Sequence, residues 1–140
     1  MKIIKYALSV SSIVFLLVSC DIFLPQALSP PEWIIGTWSD VSDVNTWTFT
    51  SDNAIFTLNT TGFGAPTSID FKEMRKMSGV DISDESSTTT YRLKMEAGGV
   101  FGSYKFEKTS QNIFGNWYPF LNYTVTTAGI SVGPLELYPE

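Results

Sequence analysis

The chain has 140 residues, with 9 Lys+Arg, 14 Asp+Glu, no His and a single Cys, giving a formal net charge of −5. That length suits one domain, and without histidine no Ser-His-Asp triad, Cys-His dyad or His-ligated zinc site can be built. The acidic balance argues against a nucleic-acid partner, which needs clustered Lys and Arg to neutralise phosphates.

In chain order, Lys2 and Lys5 open a positive stretch, and an uncharged, mainly apolar run follows from Tyr6 to Val18. This run is shorter than the roughly 18–20 residues that span a bilayer as a helix, and it fits the apolar region of a signal peptide. It ends Leu17-Val18-Ser19-Cys20. These four residues resemble the bacterial lipobox: a branched apolar residue, a permissive position, a small residue, then Cys. The resemblance implies cleavage after Ser19, lipid on the Cys20 sulfur and a chain held at a membrane of the cell envelope. The competing reading is a cysteine buried in an apolar helix. With no second cysteine, no intramolecular disulfide competes for Cys20. Asp21 resembles the inner-membrane retention signal of some enteric bacteria, a rule that does not carry over between bacterial groups, so the membrane stays open. Cleavage removes Lys2 and Lys5 and takes the formal charge from −5 to −7. Residues 21–31, DIFLPQALSPP, contain three prolines and read as a tether, giving a signal peptide at 1–19, a lipidated Cys and tether at 20–31, and a domain at 32–140.

The domain is dominated by strand patterns. Residues 45–51 set Trp47 and Phe49 on one face against Thr46, Thr48 and Thr50 on the other. Asp52-Asn53 predicts a tight turn, and 54–59 continues with Phe56 and Leu58 aligned. Residues 60–68 and 79–88 are rich in Gly, Ser, Thr and Asp and read as loops. Between them Phe71, Met74 and Met77 stand three apart, as on a short helix over 70–78, with Asp70 and Glu73 placed as a capping box. Alternation returns at 88–95 and at 100–108, separated by a turn at Ala97-Gly98-Gly99. A turn at 109–112, a short strand at 113–118 stopped by Pro119, and strands at 120–127 and 130–138 complete the chain. Gly133-Pro134 predicts a bulge or an edge strand. These elements specify an all-β antiparallel meander of about eight strands with one short helix near 70–78. Closing such a meander into a barrel removes its edges.

Gly36-Thr37-Trp38 leads into the first strand. This G-x-W resembles the lipocalins and the wider calycin superfamily. The resemblance implies a small β-barrel over residues 33–140, with Gly36 and Trp38 structural and the Trp packed under one end. The chain departs from the lipocalins in having no Arg after Arg92, nothing basic after Lys108 and no T-D-Y motif. The expectation is therefore a lipocalin-like barrel rather than a lipocalin proper, and family binding residues do not transfer.

Trp47, Phe49, Phe56, Tyr91, Tyr104, Phe106 and Tyr123 fall on inward faces, together with Trp117. They either line a pocket for a small hydrophobic ligand or fill the interior as core; eight strands leave room for side chains or for one small ligand. Asp81, Asp84 and Glu85 form an acidic segment without the spacing of a calcium loop. Lys72, Arg75 and Lys76 read as the solvent face of the helix. No catalytic motif, metal site or cofactor site emerges. The sequence points to a non-enzymatic, membrane-anchored lipoprotein that binds a small hydrophobic ligand. The alternative is an envelope structural or interaction module with a filled core, whose protein partner the sequence does not name.

Overall fold

A computed structural model describes residues 27–59 and 64–140. Cys20, the signal peptide and the first part of the tether lie outside the described residues. Nine antiparallel strands form one sheet: β1 (Gly36–Ser39), β2 (Asn45–Phe49), β3 (Ala54–Leu58), β4 (Thr67–Asp70), β5 (Val80–Ser86), β6 (Thr90–Ala97), β7 (Val100–Ile113), β8 (Asn116–Thr127) and β9 (Ile130–Pro139). Among the described residues a single α-helix, α1 (Phe71–Met74), interrupts them.

Neighbours in sequence are neighbours in the sheet except β4 and β5, which form its two edges, and β1 also pairs with β9; the order is β4-β3-β2-β1-β9-β8-β7-β6-β5. The sheet curls into a barrel-like shell whose free edges are β4 and β5. α1 joins those two edges and packs against β3, β4 and β5. The β1–β9 seam is short, with Trp38 opposite Pro139 and Ser39 opposite Tyr138. Two further bonds hold it: the Glu140 N–H donates to the Thr37 carbonyl at 3.0 Å, and the Ser39 hydroxyl donates to the Glu140 carboxylate.

Local chemistry explains most of these boundaries. Asp70 caps α1, accepting from the Glu73 N–H at 3.0 Å, as the capping-box spacing predicts. Three hairpins turn on two residues with positive φ, Gly98-Gly99, Phe114-Gly115 and Ala128-Gly129, the geometry that matches strand twist. Gly133 sits at the predicted irregularity, where the β8–β9 register shifts between Tyr123 and Val125. Its φ is +121°, and a Cβ there would stand 2.6 Å from the Tyr123 carbonyl oxygen, so only glycine fits.

The expected all-β antiparallel meander of about eight strands with one short helix is present, with nine strands. Three local expectations are corrected. The predicted loop at 79–88 is largely β5, stabilised by its ladder to β6. The helix is one turn, and Met77 lies beyond it, 59% exposed. The turn predicted at 109–112 does not form there: β7 runs on to Ile113, and the chain reverses at Phe114-Gly115, inside the stretch expected as a strand. Pro119 lies within β8, opposite Ser110, where β8 has no β9 partner. A proline is tolerated on a strand with a free edge.

Residues 27–35 run across one end of the shell. Leu28, Pro30 and Ile34 are buried, so this part of the segment read as tether packs on the domain. The Ser29 N–H donates to Asp84 Oδ2 at 2.7 Å and the Trp33 indole to the Ser87 carbonyl at 3.1 Å. The Trp38 indole donates to the Ile34 carbonyl at 2.8 Å beneath them.

Candidate functional site

Period-2 alternation turns one face of each strand inward, and the curl of the sheet brings those faces together. The seven aromatic residues expected on the inward faces do converge. Trp47 stands at their centre, with no solvent exposure. Its ring centroid lies 5.8 Å from Phe49, 5.0 Å from Phe56, 5.7 Å from Phe71, 5.2 Å from Tyr104, 4.9 Å from Phe106 and 5.6 Å from Tyr123. Tyr91 closes the group, edge-on to Phe49 at 5.9 Å and stacked on Phe106 at 6.2 Å. Spacings of this size are direct ring-to-ring contact. Phe71, from α1, joins the cluster although the sequence placed it only on a helix.

Among the described residues two polar atoms in this cluster have no partner in good hydrogen-bond geometry, the Trp47 indole nitrogen and the Tyr91 hydroxyl, although Tyr123 lies near the first and Asp84 near the second. Burial pushes the Tyr91 hydroxyl well above the usual phenol range, and the nearby Asp84 charge pushes in the same direction. Burial also raises Tyr123 and Tyr104. All three phenols therefore stay neutral, which suits packing and disfavours a role as proton donor near neutral pH.

Gly36 adopts φ +131°, and Trp38 is buried at the end crossed by residues 27–35.

Charged groups lie outside the cluster. Glu85 pairs with Lys94 and stands 3.9 Å from Arg92, so two members of the acidic segment, Asp84 and Glu85, are engaged with neighbours. At α1, Lys72 pairs with Asp52, and Lys76, just beyond the helix, pairs with Glu73 at 2.6 Å. Asp40 organises the β1–β2 turn, accepting from the N–H groups of Ser42, Val44 and Asn45 and from the Asn45 side-chain amide. Burial pushes the Asp40 carboxyl up, but the hydrogen bonds from Asn45, Ser42 and Val44 outweigh it and hold the group below the usual carboxylate range.

Clefts lie on the outer surface. One of about 230 Å³ is lined by Asp81, Ser83, Lys94, Met95, Glu96, Phe101 and Gly102. Another lies between Ala27, Asp52, Lys72 of α1 and the residues Arg75 and Lys76 that follow it.

Exposed large apolar residues form two main groups, one at Val100, Phe101, Ile130, Val132 and Leu135 and the other on the β7–β8 hairpin at Ile113, Phe114, Trp117 and Tyr118. Residues 110–119 are all exposed, forming an arm that projects past the shell. Phe114 is fully exposed at its turn and Trp117 is 68% exposed, so Trp117 is an arm residue and not part of the interior set. Sequence reasoning missed this arm because T-S-Q-N at 109–112 has the composition of a turn. The signal that could have found it is the absence of any charge between Lys108 and Glu136.

Comparisons with protein families, curated proteins and solved structures return no match for this chain.

Proposed function

We propose that this chain is a non-enzymatic lipoprotein of the bacterial cell envelope, anchored through Cys20, whose lipocalin-like barrel works through its surface. The observation that carries the surface reading is the enclosure of Trp47 by six aromatic rings. A ligand would have to displace ring-to-ring contacts to enter. The anchor reading rests on Leu17-Val18-Ser19-Cys20 after a short apolar run. A mature body of formal charge −7 is repelled by anionic headgroups and needs such a tether to stay at a membrane.

A second reading, a small hydrophobic ligand held among Trp47, Phe49, Phe56, Tyr91, Tyr104, Phe106 and Tyr123, is favoured by one observation. Among the described residues the Trp47 indole and the Tyr91 hydroxyl are buried without a partner in good hydrogen-bond geometry, and buried polar groups ordinarily have one.

Two experiments test these readings. Cells grown with radioactive fatty acid should label the wild-type chain and not the Cys20→Ser variant; equal labelling removes the anchor. Titration of the purified protein with fatty acids, retinoids and haem-like compounds should leave its tryptophan emission unchanged. Quenching that disappears in Trp47→Phe would instead establish the interior as a binding site.

A further inference from the structure

The β7–β8 arm combines four properties. It is paired throughout, from Lys108 opposite Leu121 to Ile113 opposite Asn116. Its tip exposes Ile113 at 40%, Phe114 at 101%, Trp117 at 68% and Tyr118 at 47%. It carries no Asp, Glu, Lys or Arg beyond Lys108, in a chain with 14 acidic residues. Finally, Phe114 holds φ +52°, in the left-handed region. A bulky residue is disfavoured there, and Gly or Asn is the usual choice in such a turn. Nothing in the domain packs on Phe114 to offset that cost, which marks the position for a contact outside the domain.

The arm and the tether share one end of the shell. At the base of the arm the Lys108 N–H donates to the Thr89 carbonyl at 2.8 Å. Two residues away, the Ser87 carbonyl accepts from Trp33, and Asp84 accepts from Ser29. Ala27 itself lies beside Asp52 of the β2–β3 turn and Lys72 of α1. Cys20 and Ala27 are seven residues apart in sequence, a span of at most about 25 Å. From Lys108 to the turn at Phe114 is six residues, or about 20 Å as a strand. A lipid on Cys20 would hold this end of the shell within about 25 Å of the membrane, a distance of the same order as the arm's reach of about 20 Å.

We infer that the tip of the β7–β8 hairpin docks into the interface of the bilayer that holds the lipid anchor, giving the domain a second, fixed point of membrane contact. This rests on the anchor reading. Trp and Tyr favour the boundary between headgroups and acyl chains, and Phe and Ile bury below it. An uncharged tip needs no charge removed from water and no anionic lipid. The contact should therefore resist salt, unlike one made by basic residues.

The test uses the full chain, purified from membranes of cells fed labelled fatty acid and reconstituted into phosphatidylcholine vesicles, with or without bromine on the acyl chains near the headgroups. The Trp117 signal is the wild-type emission minus that of Trp117→Phe. Brominated vesicles should quench it, to the same degree at low and high salt. Phe114→Asp should remove most of the quenching. Phe114→Asn, which suits the turn, should weaken it in a protein at least as resistant to heat. The label reads the anchor separately. Label without quenching overturns the tip contact alone, and neither label nor quenching overturns both. Trp117 emission that ignores brominated lipid but shifts with protein concentration assigns the tip to a second copy and overturns the membrane contact.

Discussion

The Trp38 indole N–H and the Ile34 carbonyl oxygen are joined at 2.8 Å in a buried hydrogen bond. Trp38 thereby ties the first strand to the segment that crosses the end of the shell, combining a large buried ring with a satisfied donor. Trp38→Ala should lose about 3–5 kcal/mol, as for other buried aromatics truncated to alanine. Trp38→Phe keeps most of the ring but leaves the Ile34 carbonyl without its donor, a loss of about 1–3 kcal/mol. Urea unfolding should rank wild type above Trp38→Phe and Trp38→Ala last. Equal midpoints for wild type and Trp38→Ala would remove Trp38 as a structural residue.

Two glycines in the same sheet should respond differently to a methyl group. At Gly133 the new Cβ meets the Tyr123 carbonyl at 2.6 Å in a backbone with φ +121°; at Gly102 the nearest atom is 3.8 Å away. Gly133→Ala should cost at least about 1–3 kcal/mol through backbone strain, before the clash is counted. Gly102→Ala should stay near wild type. Thermal unfolding followed by circular dichroism separates them, and similar midpoints would contradict the close approach at the bulge.

Asp40 gives the fold a defined acid sensitivity. Hydrogen bonds in the turn hold its carboxyl below the ordinary range despite the opposing effect of burial. A carboxyl whose folded pKa is depressed contributes stability above its unfolded value of about 3.9 and loses it as pH falls through the folded value. Asp40→Asn should therefore unfold more easily than wild type at pH 6, and the gap should narrow towards pH 3. Urea midpoints at the two pH values check this; a gap that does not depend on pH would exclude the carboxylate charge as its source.

Phe114 occupies a conformation that costs a side chain of its kind roughly 1–2 kcal/mol. Phe114→Asn should recover about 1 kcal/mol of that by forming the Asn-Gly turn preferred in two-residue hairpins. Because Phe114 is fully exposed, no core contact is lost in exchange. Denaturation of the protein in detergent-free buffer should show a midpoint above wild type; a lower midpoint would mean that Phe114 packs on the domain.

Local sequence determined the parts of this protein that depend on near neighbours. Alternation at 45–51 and 100–108 identified strands and their inward faces, Asp70 marked the start of the helix, and Gly98-Gly99 and Ala128-Gly129 marked turns. Tertiary structure decided what those faces meet. Period-2 spacing says that Trp47, Tyr104 and Tyr123 point the same way but not whether they face a cavity or one another; the curl of nine strands brings their rings to within 5.6 Å of Trp47. It also decided where the β7–β8 hairpin turns. Residues 109–112 have turn-like composition, yet the ladder to 117–120 supplies backbone hydrogen bonds that hold them extended. Residue type biases a few dihedral angles, whereas strand pairing joins residues distant in sequence, so pairing overrode composition in the arm and carried Phe114 and Trp117 into solvent.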